Sequence, residues 1–520
     1  MARPPRGFAL SQGAVPFLTL LAVSAALYAL LWLADFGSLD QSPLTLWAAP
    51  ATYDVLVQFT QVTIGLLGIA ITVVAIIVEL AANRYTPRIT ELFVRDPTNV
   101  AVMSFFVIAS VLVVWIDLSL GGATYPRTMA LAASGIQTAA LLVILPYFAY
   151  VFDFLSPTRV IDRIQQAGSQ HLARLARGGT TVDLARAGVV QAIEQLGDIA
   201  LNSIEKKDKP LTLAAVAALE RITLDAIRFK DRMPKDWFDT RPLVRHDQDF
   251  IALHPDMVRA LTDRRTWLEM KVLRQYQSVF GEAVNRMRDV NHLIAIHTRH
   301  VAVAAMDAGD PHVLQLSIRF LNTYLRNAIN ARDVRSVYNL LNDYRLVAEH
   351  ALEHDADETV LQVAGFIKFY GQLAFTSQLA FLLETAAFDL CMLLEAAHAR
   401  NAGCHDRLLG VFLDVDREPE GDRTQEASLR GVRKAQVRLA TCYLRASDEP
   451  HARRIWEDMR SEQPERLRSI RAELERVETQ EYWEVSDRGI NFEWLPPDRR
   501  ATLDQFFGWF DALKSVAPKP

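Results

Sequence analysis

The residues best able to do chemistry in this 520-residue chain are His350-Ala351-Leu352-Glu353-His354. On a helix, positions four apart share a face, so the two imidazoles could hold zinc while Glu353 activates a water. This H-x-x-E-H order is the inverted zinc-protease pattern. The sequence offers no third ligand, and Glu349, Asp355, Asp357 and Glu358 give the run the composition of a charged, solvated helix end. His350, Glu353 and His354 are therefore weak metal candidates; the expected metal and cofactor content is none, and no residue is assigned as catalytic. His292, His297 and His300 gather around Arg299, but only His297 and His300 share a face, and the expected setting is a surface helix. Cys404-His405-Asp406 lacks the C-x-x-C spacing of a structural zinc site. With Cys391 and Cys442 it completes the cysteine inventory, whose spacing suggests no disulfide framework and fits a reducing compartment. Neither a G-x-x-x-x-G-K-S/T loop nor a G-x-S-x-G elbow occurs. The chain is not expected to be an enzyme.

The elements that would carry any site divide sharply by hydropathy. The mean hydropathy of +0.08 averages an apolar region at 1-155 with an ordinary helical remainder. Four apolar segments, 15-36, 53-82, 100-116 and 129-152, are each long enough for a ~30 Å hydrocarbon core. The second carries a stripe: Gln58, Gln61, Gly65, Gly68, Thr72, Ala75 and Glu79 fall at steps of three and four, hence on one face. Small residues let another backbone approach, and the amides and hydroxyl can bond across the contact. Polar groups in a span also face bundle interiors or water-filled paths, and a carboxylate ring at a mouth favours cations. The spacing admits both readings: a packing seam within one subunit, or a pore or oligomer axis.

Orientation follows from the basic residues. Arg3 and Arg6, then Arg84, Arg88 and Arg95, then Arg159 and Arg163 lie on one side; segment 37-52 has none and the loop between spans three and four only Arg127. Both termini are expected in the cytoplasm, with Arg84, Pro87 and Arg88 forming a turn at the cytoplasmic membrane interface. The net charge of -5 gives no basic bias toward nucleic acid.

From 156 onward apolar residues recur at helical spacing. The expected layout is a membrane-proximal helical segment at 156-230, a linker at 231-256, a helical domain at 257-400, a loop-rich stretch at 401-423, and a repeat unit with an aromatic cap at 424-520. In that last part Leu439, Ala440, Tyr443, Ala452, Trp456 and Pro464 sit near tetratricopeptide offsets. Ala440 and Ala452 would let two helices cross, Tyr443 and Trp456 would fill the space between, and Pro464 would end the second helix.

The run Ala81-Ala82-Asn83-Arg84-Tyr85-Thr86-Pro87-Arg88-Ile89, continued by Phe93-Val94-Arg95-Asp96, resembles the signature of an uncharacterised family of bacterial predicted membrane proteins. A weaker likeness lies at Gly197–Ala200 through Pro210 and Ala214–Ile222, where Ile204-Glu205-Lys206-Lys207-Asp208-Lys209-Pro210 departs from the family's Ser-Pro…Asn-Asp-Pro loop. The resemblance covers about the first 230 residues and implies four spans and a bacterial inner membrane, with no established activity.

The resulting expectation is an all-α protein: a four-helix transmembrane domain plus a large cytoplasmic helical domain of repeat character. The leading role is a homo-oligomeric ion channel lined by the second span. The alternative is a membrane-anchored scaffold recruiting a protein partner through its helical repeats, and a zinc hydrolase stands third. Lipids, further copies of the chain and a protein partner are the expected associates, not nucleic acid.

Overall fold

The computed structural model describes residues 22–23, 25–30, 33, 49–84, 93–94, 96–119, 127–154, 156–244, 247–251, 253–416, 423–480, 487–488 and 491–510. Their regular structure is helical throughout, with no strand among the described residues, so the fold is all-α. Contacts divide the chain into two units, Met1–Arg163 and Ile164–Pro520.

In the first unit α1 (Ala49–Arg84), α2 (Pro97–Ser119) and α3 (Arg127–Phe154) all pack against one another. Among the described residues two stretches, Pro97–Ile116 and Ala132–Phe154, are long and apolar enough to cross a membrane; a shorter apolar run, Ile64–Leu80, lies in α1. The first expected span falls largely outside the described residues, although Tyr28 stands edge-on to Trp115 of α2 with ring centroids 5.8 Å apart.

Helix α4 (Pro157–Ala176) continues into the second unit, which opens with the hairpin α5 (Val182–Glu205) and α6 (Lys209–Phe229). The expected linker is no linker. It folds into two 3-10 turns and short helices α7 (Arg241–Val244), α8 (Gln248–Ile251) and α9 (Pro255–Asp263), with Trp237, Phe238, Leu243 and Phe250 buried. A buried lysine holds it: Lys271 Nζ, on α10 (Trp267–Ala283), donates to Asp247 at 2.7 Å and to Asp249 at 2.9 Å. Asp247 and Asp249, two of the polar residues that give this segment the composition of a loop, turn their charges inward on Lys271.

The long helices α11 (Arg288–Asp307), α12 (Pro311–Asn330), α13 (Val334–Glu353), α14 (Asp357–Thr376) and α15 (Phe381–Ala399) form a stack. Each packs against the next and the next but one, and α6, α11, α13 and α15 continue into α17 (Arg423–Arg445) as one layer. Short α16 (His405–Leu413) occupies a stretch whose sequence suggests loop, so 400 is no domain edge. The chain ends with α18 (Glu449–Met459), α19 (Pro464–Arg476), α20 (Pro497–Arg500) and α21 (Leu503–Phe507).

A period of 23 residues sets the stack. Gly309, Arg332, Asp355, Gln378 and Asn401 all have positive φ and close successive turns. Four residues before each stands a fully buried alanine: Ala305, Ala328, Ala351, Ala374 and Ala397. Each alanine carbonyl accepts from the N–H five residues on, at 2.8–3.0 Å, the long bond of a Schellman turn. Larger side chains there would separate the crossing helices. At Gly371 the approach is closer still, since an added Cβ would lie 2.6 Å from Ala386 Cβ. Two helices make a 46-residue repeat, within the range of helical-hairpin solenoids and longer than the expected tetratricopeptide unit.

Buried ion pairs follow the same register. Arg299 Nε meets Asp343 at 2.9 Å, and 46 residues later Arg345 Nε meets Asp389 at 3.3 Å. Asp389 also takes both terminal nitrogens of Arg488, at 2.7 and 3.1 Å. Asp389→Ala leaves the buried Arg488 guanidinium without a carboxylate, removes one of the two carboxylates beside Arg345, and should cost about 3–5 kcal/mol; denaturant unfolding of the purified protein measures it, and a loss under about 1 kcal/mol would show that the ladder is not a stabilising element.

Candidate functional site

On α1 the structure resolves which edge is covered. Ala70, Val74 and Val78 are buried, on a helix packed with α2 and α3. Gln58, Gln61, Gly65, Gly68, Thr72, Ala75 and Glu79 are all exposed. A Cβ added at Gly65 or Gly68 meets nothing within 4 Å. Thr72 returns its hydroxyl to Gly68 O at 2.8 Å, a bond that any helical threonine can make. The stripe is thus not a seam with α2 or α3.

Arg84 closes α1, while Pro87 and Arg88 lie outside the described residues. The segment between α1 and α2 has a structural role. Phe93 is buried edge-on to Phe154, 5.2 Å between centroids. Asp96 accepts from the N–H groups of Thr98 at 2.9 Å and Asn99 at 3.3 Å, capping α2, and from the Tyr150 hydroxyl of α3. Tyr147 adds a hydrogen bond to Asn99 at 2.7 Å. The Phe-x-x-Asp segment therefore fixes α2 against α3.

The H-x-x-E-H run closes α13, and the third ligand that the sequence does not reveal is Asp307. His350 Nε2 and His354 Nε2 lie 2.9 and 3.2 Å from Asp307 Oδ1, and Glu353 lies 3.2 Å from His350 Nδ1. The repeat explains this arrangement without a metal. Asp307 and His354 correspond, one repeat on, to Glu353 and Arg400, which pair at 3.2 Å. His354 takes the place of an arginine in a half-exposed ion pair.

His297 and His300 overturn the surface-helix expectation. His297 is 6% exposed, inside the layer formed by α6 and α11. Its Nδ1 lies 2.6 Å from Glu220 Oε2, and His300 Nδ1 lies 2.6 Å from Oε1 of the same carboxylate. Burial alone would raise the Glu220 carboxyl, but the two imidazoles beside it outweigh that and bring it down to about 2.

Around the expected repeat, Tyr443 and Ala452 are fully buried. The Tyr443 hydroxyl bonds His405 Nε2 at 2.8 Å, and its ring borders His398 and His451. Trp456 lies against Phe510, 6.3 Å between centroids, and Pro464 opens α19 instead of ending α18. Burial, aided by His451 and His398, lowers the His405 imidazole from 6.5 to about 4. Between those values the unfolded chain binds a proton that the folded chain refuses, so this residue withdraws stability as pH falls from about 6.5 toward 4 and contributes nothing to the slope above. His405→Asn should flatten that part of the unfolding midpoint against pH; unchanged slopes would remove His405 as the cause.

No curated protein and no solved structure matches the chain. Residues 11–221 match the model of a family described as "Predicted membrane protein (DUF2254)". The match takes in the Pro-Arg turn and ends within α6, so most of the solenoid lies beyond it. Over residues 11–221, then, the chain is similar to a predicted-membrane-protein family of unknown function, the kind that its Pro-Arg turn resembles.

Proposed function

We propose that the chain forms a homo-oligomeric ion channel of the bacterial inner membrane, with both termini cytoplasmic and the α1 helices of several copies facing one axis. One observation carries this: Gln58, Gln61, Gly65, Gly68, Thr72, Ala75 and Glu79 are all exposed, while the residues of α1 that are buried, Ala70, Val74 and Val78, lie on another edge. Acyl chains offer Gln58 and Gln61 no hydrogen-bond partner, whereas an identical edge or water does. Gly65 and Gly68 allow close approach, and Glu79 places a carboxylate ring near one mouth, favouring cations.

A second reading rests on a separate observation. The C-terminal segment lies along the α13–α15–α17 layer: Asp487 pairs with Arg335 at 2.7 Å, Arg488 with Asp389, Phe492 stacks on Phe388 at 3.9 Å, and Arg438 donates to Trp494 O at 2.8 Å. A face that seats one segment suits recruitment of a protein, the scaffold role. The zinc-hydrolase reading has no comparable support, because His354 stands at the position of the repeat where Arg400 pairs with Glu353.

The test is reconstitution. Purified protein should conduct cations, and Gln61→Leu or Gly68→Leu should change conductance severalfold while the oligomer persists. Gly68→Cys should cross-link between chains on oxidation. Protein that stays monomeric in detergent and lipid, or an oligomer silent in every ionic condition, would leave the scaffold reading in its place.

A further inference from the structure

We infer that Glu220, His297 and His300 form a binding site for a single divalent transition-metal ion between α6 and α11. One ligand atom from each residue lies within 4.8 Å of the others. Two imidazoles and one carboxylate suit zinc, cobalt or ferrous iron and not the oxygen-seeking calcium or magnesium. Glu220 and His297 are nearly enclosed, but the His300 side chain is 43% exposed, so an ion can enter from that side and keep a water-filled coordination position.

Two independent observations separate this cluster from ordinary ion pairing. The first is the repeat. His297, Asp343 and Asp389 occupy equivalent positions 46 residues apart. At the latter two, a carboxylate meets an arginine from the preceding helix of the layer. Between α6 and α11 that rule is abandoned: the carboxylate sits on the earlier helix and two histidines, one turn apart, face it. Departure from a locally obeyed rule marks function more often than accident. The Asp307–His354 pair, by contrast, keeps its rule with histidine for arginine.

The second is His297 itself. Buried on all sides, it has no well-formed hydrogen bond at either ring nitrogen; Nδ1 is close to Glu220 but out of line. An enclosed polar ring left this way is costly unless something else occupies its lone pair. Tyr276, fully buried, stacks beside it at 6.5 Å and donates its hydroxyl to Val216 O at 3.0 Å, which holds the imidazole wall in place. Arg299, between the two histidines in sequence, is neutralised by Asp343 and so does not repel a cation.

The full-length protein, stripped with a chelator and titrated with Co²⁺ and then Zn²⁺, tests this through the visible cobalt spectrum and calorimetry. One equivalent should bind, with zinc displacing cobalt. His300→Ala, at a half-exposed position that leaves the core intact, should weaken binding by more than about tenfold, as should Glu220→Gln. The double variant His350→Ala/His354→Ala should bind as the parent does. No binding overturns the inference. So does binding indifferent to His300→Ala, or lost with the double variant instead.

Discussion

The second unit depends on a length constraint. Three consecutive helices, α12 to α14, have 20 residues each and end in the same left-handed turn, so the chain reverses after equal intervals. Equal intervals put like positions of successive helices side by side. That register is why Ala328 faces its neighbours as Ala351 does, and why the arginine–aspartate contact made by Arg299 recurs at Arg345. Backbone satisfaction at the turn comes first, and the side-chain pattern is its consequence.

The same constraint separates what the sequence displays from what it conceals. Helical class is legible because apolar residues repeat every three to four positions. The 23-residue period is present too, in Ala305 through Ala397, but alanine is common and carries little signal. The turn residues hide it further: glycine, arginine, aspartate, glutamine and asparagine share no chemistry, only tolerance of one backbone conformation. Tyr443, Ala452 and Trp456 suggest a shorter repeat because aromatic and small residues at those offsets are expected there. Their contacts with His405 and Phe510 show other causes.

Sites are less legible than elements, for a reason of distance along the chain. Asp307 lies 43 residues from His350, and Glu220 lies 77 from His297, so neither carboxylate shows itself beside its histidines. The α1 stripe is legible as a stripe because helical spacing is local. The surface opposite it is not local, and only the burial of Ala70, Val74 and Val78 on the other edge excludes α2 and α3.

The return of the C-terminal segment changes how such a stack comes apart. A plain array loses its end unit first and frays inward, because each hairpin touches only its neighbours. Here Arg488 and Arg499 supply counter-charges to Asp389 and Glu395, about a hundred residues back, and Asp487 reaches Arg335, farther still. Those pairings staple the last stretch of the chain across the middle helices. Fraying from that terminus therefore uncovers buried carboxylates deep in the array at once, and the unit melts as a block where a simple spring of hairpins would uncoil.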